Sequence, residues 1–445
     1  MIKTFRIFRR KFNRALDERF LGIAVVLALA VGISYAAPVA QHLGKAQSTF
    51  PSTVCPANVG DSTSQAFLPS YRTSVRHVLK KSTTFYKSLT SIERISANPL
   101  LIDSNPGTSF ALASSGNGIG AVICEAGNAD EWFVGGSGGL TSKAKLDLVN
   151  SGLSPATVDI YGYSSKQVLP VVSAVIPANT DQVLSVDALV PGDDAVALHL
   201  VTRGGRVTSF LFDQRKKGLA SLGSDFVNSQ AAPQTHLDIP TLMQSSSGKV
   251  SSTLRLLVPG NLDATIKVSI NSGDGAFTPL GFDGRSIAHG KVIDIPMENL
   301  TSSTPMSVVI DSDQPLVAST LTRISNGDFA WSTPVHPFGK VALNFTGLAP
   351  KFVFTGSDIS VAVNWKNSLG KSMSARITGT DIAFWNPGNG GVRTISLTAD
   401  PKKEIYAGVI IRNSSGSALA YLPLSAGATL ERSTLPIVDV HSLSR

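Results

Sequence analysis

The chain has 445 residues, of which 42% are hydrophobic and 16% are charged, and its formal net charge at pH 7 is +8. A low charged fraction with abundant Gly disfavours long soluble helices and favours short strands joined by tight turns. The positive charge argues against a nucleic-acid-binding face, because residues 1–20 and 71–94 each carry +5 and leave the remainder near −2 (8 − 5 − 5).

The N-terminal segment has the pattern of a membrane anchor. Residues 20–40 form an uncharged apolar run that, as a helix, is long enough to cross a ~30 Å hydrocarbon layer. Because basic residues crowd positions 1–19, we expect a cytoplasmic tail there and an extracytoplasmic body after the span. A cleaved signal peptide, with Ser34-Tyr35-Ala36 at its cleavage site, is the alternative. Both interpretations export the body of the chain.

Residues 41–70 are polar and are predicted to be a spacer, followed by an N-terminal, disulfide-tied β region over 71–140. Cys55 and Cys124 are the only cysteines, and two thiols in an exported chain most often pair. Free buried thiols are the alternative. A zinc site is not expected, because the seven His residues are scattered and no short ligand spacing occurs. The basic stretch 71–94 is either a solvated face or a contact for anionic wall polymers.

An internal repeat dominates the middle of the chain. Residues 146–160 (LDLVNSGLSPATVDI) align without a gap with residues 254–268 (LRLLVPGNLDATIKV). Apolar alternation on both sides of a Gly-containing turn is typical of a β-hairpin. A second strand–turn–strand pattern at 196–211 matches 306–321. We therefore expect β-sandwich repeats at 141–228 and 248–335, a degenerate third repeat at 340–441, and linkers near 226–250 and 333–345.

These features are similar to those of an actinobacterial family of membrane-anchored or secreted proteins classified as a domain of unknown function. The resemblance depends on Cys55-Pro56 after the apolar run, on Cys124 followed by Trp132 to Gly136, and on the turn at 146–152. The turn departs from the expected Asn-Pro-Gly form at Ser151. The resemblance implies export and tandem immunoglobulin-like modules, and it implies no reaction.

Several side chains in the sequence are candidates for catalysis, calcium binding or glycan contact. Ser137 lies in a Gly-x-Ser-x-Gly pattern, but a strand follows it where a nucleophile elbow needs a helix. The carboxylate pairs Asp193/Asp194 and Asp311/Asp313 are expected at hairpin tips, with calcium binding or catalysis as alternatives. Four Trp side chains either pack in the core or stack on sugar rings. The candidates for glycan or partner contact are Trp132, Trp331 and Trp385.

The sequence thus predicts a mainly β fold, with tandem immunoglobulin-like β-sandwich modules after one N-terminal transmembrane helix. We expect a non-catalytic structural or binding protein of the bacterial cell envelope, without cofactor or metal. Its expected partners are the membrane, cell-wall glycan or another envelope protein, and not nucleic acid. A glycan-active enzyme and an accessory subunit of a membrane glycosyltransferase or transporter are the alternatives.

Overall fold

The computed structural model describes residues 52–424, except 71, 82–83, 104–106, 231, 244–249, 299, 301, 303, 326, 368, 389–393 and 414. The described residues all belong to one compact unit, Phe50–Glu431. They are mainly β-strand and contain a single short helix. The predicted cytoplasmic tail (1–19) and membrane segment (20–40) lie outside the described residues. Within the described part, no helix has the length and apolarity needed to span a bilayer.

The described strands form four modules that share one order of antiparallel pairing. We label the strand positions of a module a to h in chain order. Strands d, c, f and a form one sheet in that order, and strands e, b, g and h form the other. Module 1 (53–123) has one strand at each position: β1 (Thr53–Cys55), β2 (Thr63–Phe67), β3 (Ser74–His77), β4 (Tyr86–Lys87), β5 (Ile92–Ile95), β6 (Leu100–Asp103), β7 (Phe110–Ser115) and β8 (Gly118–Ile123).

Module 2 (130–227) repeats these pairings, with one helical turn after strand e. Both sheets contribute to one apolar core, which makes the module a sandwich. Its elements are β9 (Asp130–Val134), β10 (Lys145–Asn150), β11 (Ala156–Tyr163), β12 (Val172–Ile176), β13 (Thr180–Ser185), α1 (Val186–Leu189), β14 (Ala197–Gly204), β15 (Val207–Lys217) and β16 (Ala220–Val227).

Module 3 (234–332) joins positions f and g in one long strand, β23, and has an additional strand, β20. The first half of β23 pairs in one sheet and the second half in the other. Its strands are β17 (Gln234–Leu242), β18 (Val250–Leu257), β19 (Ala264–Ser272), β20 (Gly275–Phe277), β21 (Asp283–Ile287), β22 (Val292–Pro296), β23 (Met306–Ile324) and β24 (Phe329–Ser332).

Module 4 (340–424) joins b to c in β26 and d to e in β27. The pairing order is again that of the other modules. Its strands are β25 (Lys340–Asn344), β26 (Lys351–Lys366), β27 (Ser372–Trp385), β28 (Thr394–Ala399), β29 (Tyr406–Arg412) and β30 (Leu419–Leu424).

The repeated stretches occupy matching positions but are not hairpins. Residues 146–160 contribute β10 and β11, and residues 254–268 lie on β18 and β19, which are positions b and c of modules 2 and 3. Strands b and c belong to opposite sheets, so the Gly-containing turn crosses the sandwich. The expected hairpin was wrong because alternation around a turn does not distinguish a crossing from a hairpin. The patterns at 196–211 and 306–321 are crossings too.

The predicted boundaries miss the first strands of modules 1, 2 and 3, whereas the predicted repeat 340–441 includes β25. Described residues of the predicted spacer (41–70) include β1 and β2, and the predicted linkers 226–250 and 333–345 contain β17 and β25. The ladder partner of strand a is the distant strand f, as in the register of Val134 with Ala197. A strand with such a remote partner gives no local sign of belonging to the module that follows it.

The sheet order also differs from that of an immunoglobulin domain. Immunoglobulin constant domains pair strands A, B, E and D in one sheet and C, F and G in the other. Here strand a lies beside f, and the strand next to b is g. The pairs b–e and c–f agree with the immunoglobulin order, so the differences lie in strands a and d, which join the sheet of c and f, and in strand g, which joins the sheet of b and e.

Residues on both faces of each e-b-g-h sheet are buried, mainly in strands b, g and h, and this burial packs the modules together. In β15, Leu211 points into the core of module 2, whereas Phe210 and Phe212 pack in the core of module 1. Trp331 of module 3 packs in the core of module 2 in the same way. Ile410 of module 4 likewise packs against module 3. Each module therefore presents its e-b-g-h sheet to the preceding one.

Module 1 closes this series by packing on module 4. The ring centroid of Phe110 in β7 lies 5.0 Å from that of Phe345. The backbone N–H of Thr108 donates to the carbonyl of Ala342 at 2.9 Å. A head-to-tail contact that returns to its start after four copies generates a closed ring. The described modules are therefore arranged as a ring.

Candidate functional site: the centre of the ring

The four h strands meet at the centre of the ring. Strand β8 contacts β16, β16 contacts β24, β24 contacts β30, and β30 contacts β8. Glycines allow this approach. A Cβ atom on Gly120 would lie 2.8 Å from the backbone nitrogen of Phe226, and one on Gly223 would lie 2.8 Å from Cα of Asp328. The strands thus touch backbone to backbone, without the ladder hydrogen bonds of a sheet.

Asp225 of β16 connects three modules. One carboxylate oxygen accepts a hydrogen bond from the backbone N–H of Ala121 in module 1 at 3.3 Å. The other accepts from the backbone N–H of Trp331 in module 3 at 2.6 Å. Asp225 is fully buried, and this burial raises its pKa well above the usual value.

Asp328, one residue before β24, makes the complementary connection. Its Oδ1 accepts from the backbone N–H of Ser224 in module 2 at 3.4 Å, and its Oδ2 accepts from that of Leu419 in module 4 at 3.0 Å. Burial raises the pKa of Asp328 to about 7. The two carboxylates together bond the h strands of all four modules.

Further buried carboxylates lie where neighbouring modules meet. Thr355 of module 4 donates to Asp238 of module 3 at 2.6 Å. Desolvation raises the pKa of Asp238 to about 7 and that of Asp147, on β10, to about 8. In each case removal of the carboxylate from water disfavours its charged form.

A carboxylate pair lies between modules 1 and 2. Ser229 donates to Glu125 at 2.9 Å, and Asn128 donates to Glu131 at 3.3 Å. Desolvation raises the pKa of Glu125 to about 7. Desolvation and the nearby charge of Glu125 raise that of Glu131 to about 8. Neither carboxylate takes part in an ion pair found among the described residues.

The tryptophans considered for glycan contact differ in exposure. Trp132 and Trp331 are buried, with 4% and 1% of their surface exposed. Trp132 stacks on His199, and the Nε1 atom of Trp331 donates to Asp213 at 3.0 Å. Their burial favours the core-packing alternative for both. Trp385 is partly exposed and lies edge-on to Trp365, with 5.1 Å between ring centroids.

The other sequence candidates have structural contacts. The buried Ser137 hydroxyl donates to Asp194 at 2.7 Å and accepts from the backbone of Gly139, and no His takes part. Asp193 accepts from Ser165 and from the backbone of Ala195, in the connection between α1 and β14. This connection joins opposite sheets, so the hairpin tip expected at Asp193/Asp194 was wrong.

The other carboxylate pair is not at a hairpin tip. Asp311 and Asp313 lie inside the continuous strand β23. Asp311 bonds His236 at 2.7 Å, and Asp313 accepts from the backbone of Thr265. The hairpin expected there was wrong, because the chain passes from one sheet to the other without a turn.

The predicted disulfide is present. Cys55 and Cys124 are bonded and tie strand a of module 1 to the residue that follows strand h. They belong to the core that module 1 shares with Phe210 and Phe212 of module 2. Over the described residues, no group of three or more His, Cys, Asp or Glu side chains is placed to hold a metal ion.

Asp225 and Asp328 were not among the site residues predicted from the sequence. One signal was present, since each Asp precedes a Phe next to an apolar strand: Asp225-Phe226 and Asp328-Phe329. Asp is depleted in strands, so an Asp within or directly before a strand, next to a buried Phe, indicates a bonded, buried carboxylate.

The fold and its centre define a class of mainly β proteins in which modules are bonded around buried carboxylates. A model of a family of unknown function (DUF5719) matches residues 106–381, which is 276 of 445 residues (381 − 106 + 1). The chain belongs to this family. The match extends from the end of module 1 through modules 2 and 3 into module 4. No curated protein matches the chain.

Proposed function

We propose that the chain is a non-catalytic structural or binding protein of the bacterial, and by resemblance actinobacterial, cell envelope. In this proposal residues 20–40 anchor it in the membrane and the body is extracytoplasmic. Its modules are variants of the immunoglobulin-like sandwich in which strands a, d and g lie in the opposite sheet. The partners are wall glycan or another envelope protein.

The bonding of all four h strands by Asp225 and Asp328 is the observation that supports this proposal. It fixes the modules relative to one another, so their exposed surfaces keep constant positions. A protein that presents several surfaces in fixed positions is suited to hold partners in place. The Cys55–Cys124 disulfide is consistent with an oxidising compartment.

The proposal is tested with the full chain in its native membranes. Protease added from outside should digest the body, and cross-linking should recover a defined envelope protein or wall glycan. Protection of the body from external protease would contradict the extracytoplasmic placement. Recovery of neither partner would contradict the binding role.

A glycan-active enzyme is the second candidate, and the pair Glu125/Glu131 is the observation that favours it. Carboxylates with raised pKa values are the acid–base groups of glycoside hydrolysis. Ser229, which bonds Glu125, also lines a small cavity with Gln230 and His336. Release of sugars from wall polysaccharide by the full chain, and its loss in Glu131→Gln, would replace the first proposal with this one.

A further inference from the structure

Module 1 carries an exposed surface that is both apolar and basic, formed by residues 79–81 and 84–89. Leu89 is 85% exposed, Leu79 44%, and the rings of Phe85 and Tyr86 are about 40% exposed. Phe85 and Leu89 lie on either side of β4, which is the edge strand of its sheet. Large apolar side chains grouped at one edge mark an interaction surface more often than isolated ones do.

The same surface holds three exposed lysines. Lys80, Lys81 and Lys87 form none of the ion pairs found in the described part of the chain. Residues 72–94 contain six Lys and Arg and a single Glu, a net charge of +5 (6 − 1). Because residues 95–445 are close to neutral overall, the net positive charge of the described body comes from this segment.

Contacts to the rest of the protein hold this surface in place. The guanidinium carbon of Arg76 lies 5.5 Å from the ring centroid of Phe85, and the Tyr86 hydroxyl donates to Glu93 at 3.1 Å. Asn179 of module 2 donates to the backbone carbonyl of Leu79. The apolar groups are therefore presented to solvent by a formed structure, so binding does not first have to order them.

We propose that residues 79–81 and 84–89 rest on a bilayer of anionic lipids, with the lysines at the headgroups and Phe85 and Leu89 in the interface. This inference rests on the proposed export and anchoring, and it names the surface that faces the membrane. Anionic headgroups attract nearby lysines, and apolar side chains gain by entering the interface. A soluble wall polymer would satisfy the lysines but would leave the apolar side chains in water.

Chain connectivity supports this occupant. Eleven residues, 41–51, separate the predicted span from residue 52. At roughly 3.6 Å for each extended residue, they reach about 40 Å. Of the four modules, module 1 is the one that follows this segment directly.

The test uses the full chain reconstituted in vesicles of brominated phosphatidylcholine, with and without phosphatidylglycerol. The variant Leu89→Trp places a fluorophore on the proposed surface, and Leu153→Trp is its matched control. Leu153 is 91% exposed on module 2 and is flanked by Gly and Ser. Bromine quenches a tryptophan only in close contact. We expect strong quenching at position 89 with phosphatidylglycerol, weaker quenching without it, and background quenching at position 153.

Replacing Lys80, Lys81 and Lys87 by Gln in Leu89→Trp should reduce quenching to the level in neutral lipid, because attraction to anionic headgroups is lost. The same replacement at Lys217, Lys366 and Lys371 should leave it unchanged. Equal quenching at positions 89 and 153 in anionic vesicles would overturn the inference. Relief of quenching by soluble polyphosphate alone would assign the surface to a polymer. Failure of the chain to insert would instead contradict the proposed function, and protease protection detects it in the same vesicles.

Discussion

Asp225 and Asp328 are single residues on which several modules depend. Each accepts backbone N–H groups from two other modules in a site closed to water. A buried N–H donor that loses its acceptor still bears the full cost of its removal from water. Each Asp should therefore contribute more to the free energy of unfolding than an ordinary hydrogen bond does. Loss of Asp225 or Asp328 should therefore lower the stability of the ring more than loss of an exposed ion pair would.

Replacing Asp225 by Ala leaves the backbone N–H groups of Ala121 and Trp331 without their acceptor. We expect the free energy of unfolding to fall by about 3 kcal/mol or more, measured by chemical denaturation. The exposed Asp313 accepts one backbone N–H, and its replacement by Ala should cost less than about 1 kcal/mol. Equal losses in the two variants would contradict the bridging role of Asp225.

Buried carboxylates also determine whether the stability of the fold rises or falls with pH. Glu125, Asp238 and Asp328 have pKa values of about 7, and Glu131 and Asp147 of about 8. Unfolded carboxyl groups titrate near pH ~4, so above that pH the folded state binds more protons. Stability should therefore be lost as pH rises from about 4 through 7 to 8.

The variant Asp147→Asn tests this sign at one position. At pH 5 the buried carboxyl is protonated and resembles the amide, so the variant and the parent should have similar stability, within ~1 kcal/mol. At pH 8 the variant should be more stable by about 2 kcal/mol, because the parent must hold a charge in an apolar site. Asp187→Asn, at an exposed residue of α1, is the control. Higher stability of the parent chain at pH 8 than at pH 5 would contradict the account.

The strands that cross between sheets are the elements that build each module. Strand β26 bends from position b to position c at Gly356, which has φ 144°. A Cβ atom there would lie 2.6 Å from the carbonyl oxygen of Glu404. The crossing in module 4 therefore requires Gly at this position.

Gly356→Ala should lower the free energy of unfolding by about 2 kcal/mol, because it combines a disfavoured φ with a backbone clash. Gly260 lies between positions b and c of module 3, and a Cβ atom added there would meet no atom of the described residues within 4 Å. Gly260→Ala should change stability by less than ~1 kcal/mol. Denaturation of both variants checks this. Equal effects would show that the bend at Gly356 is not needed.

Sequence patterns identified the elements where strands were long and repeated. The match of Leu146 and Leu148 with Leu254 and Leu256 placed position b correctly in modules 2 and 3. Module 1 was missed as a copy because its strands are short, with two residues in β4 and three in β1. So short a strand contains no full period of alternation. Crossings were mistaken for hairpins because the partner of a strand is not encoded next to it.

The arrangement of the whole molecule was the part least accessible from sequence. The burial of both faces of the e-b-g-h sheets follows from residues such as Phe210 and Phe212, but their partner module could not be inferred from them. Ring closure depends on contacts between residues more than 200 positions apart, as between Phe110 and Phe345. The sequence offered no candidate residue for the centre of the ring, because glycines and single aspartates are common in turns.

Contact between modules 1 and 4 distinguishes a ring from a linear array and is tested by photo-cross-linking. A photoreactive phenylalanine analogue at position 345 of the full chain should cross-link to Phe110 and its neighbours in β7, identified by mass spectrometry after digestion. The ring centroids of Phe345 and Phe110 lie 5.0 Å apart, which is within reach of the reactive group. Cross-links to module 1 are the predicted result. Cross-links confined to modules 3 and 4 would contradict the closed ring.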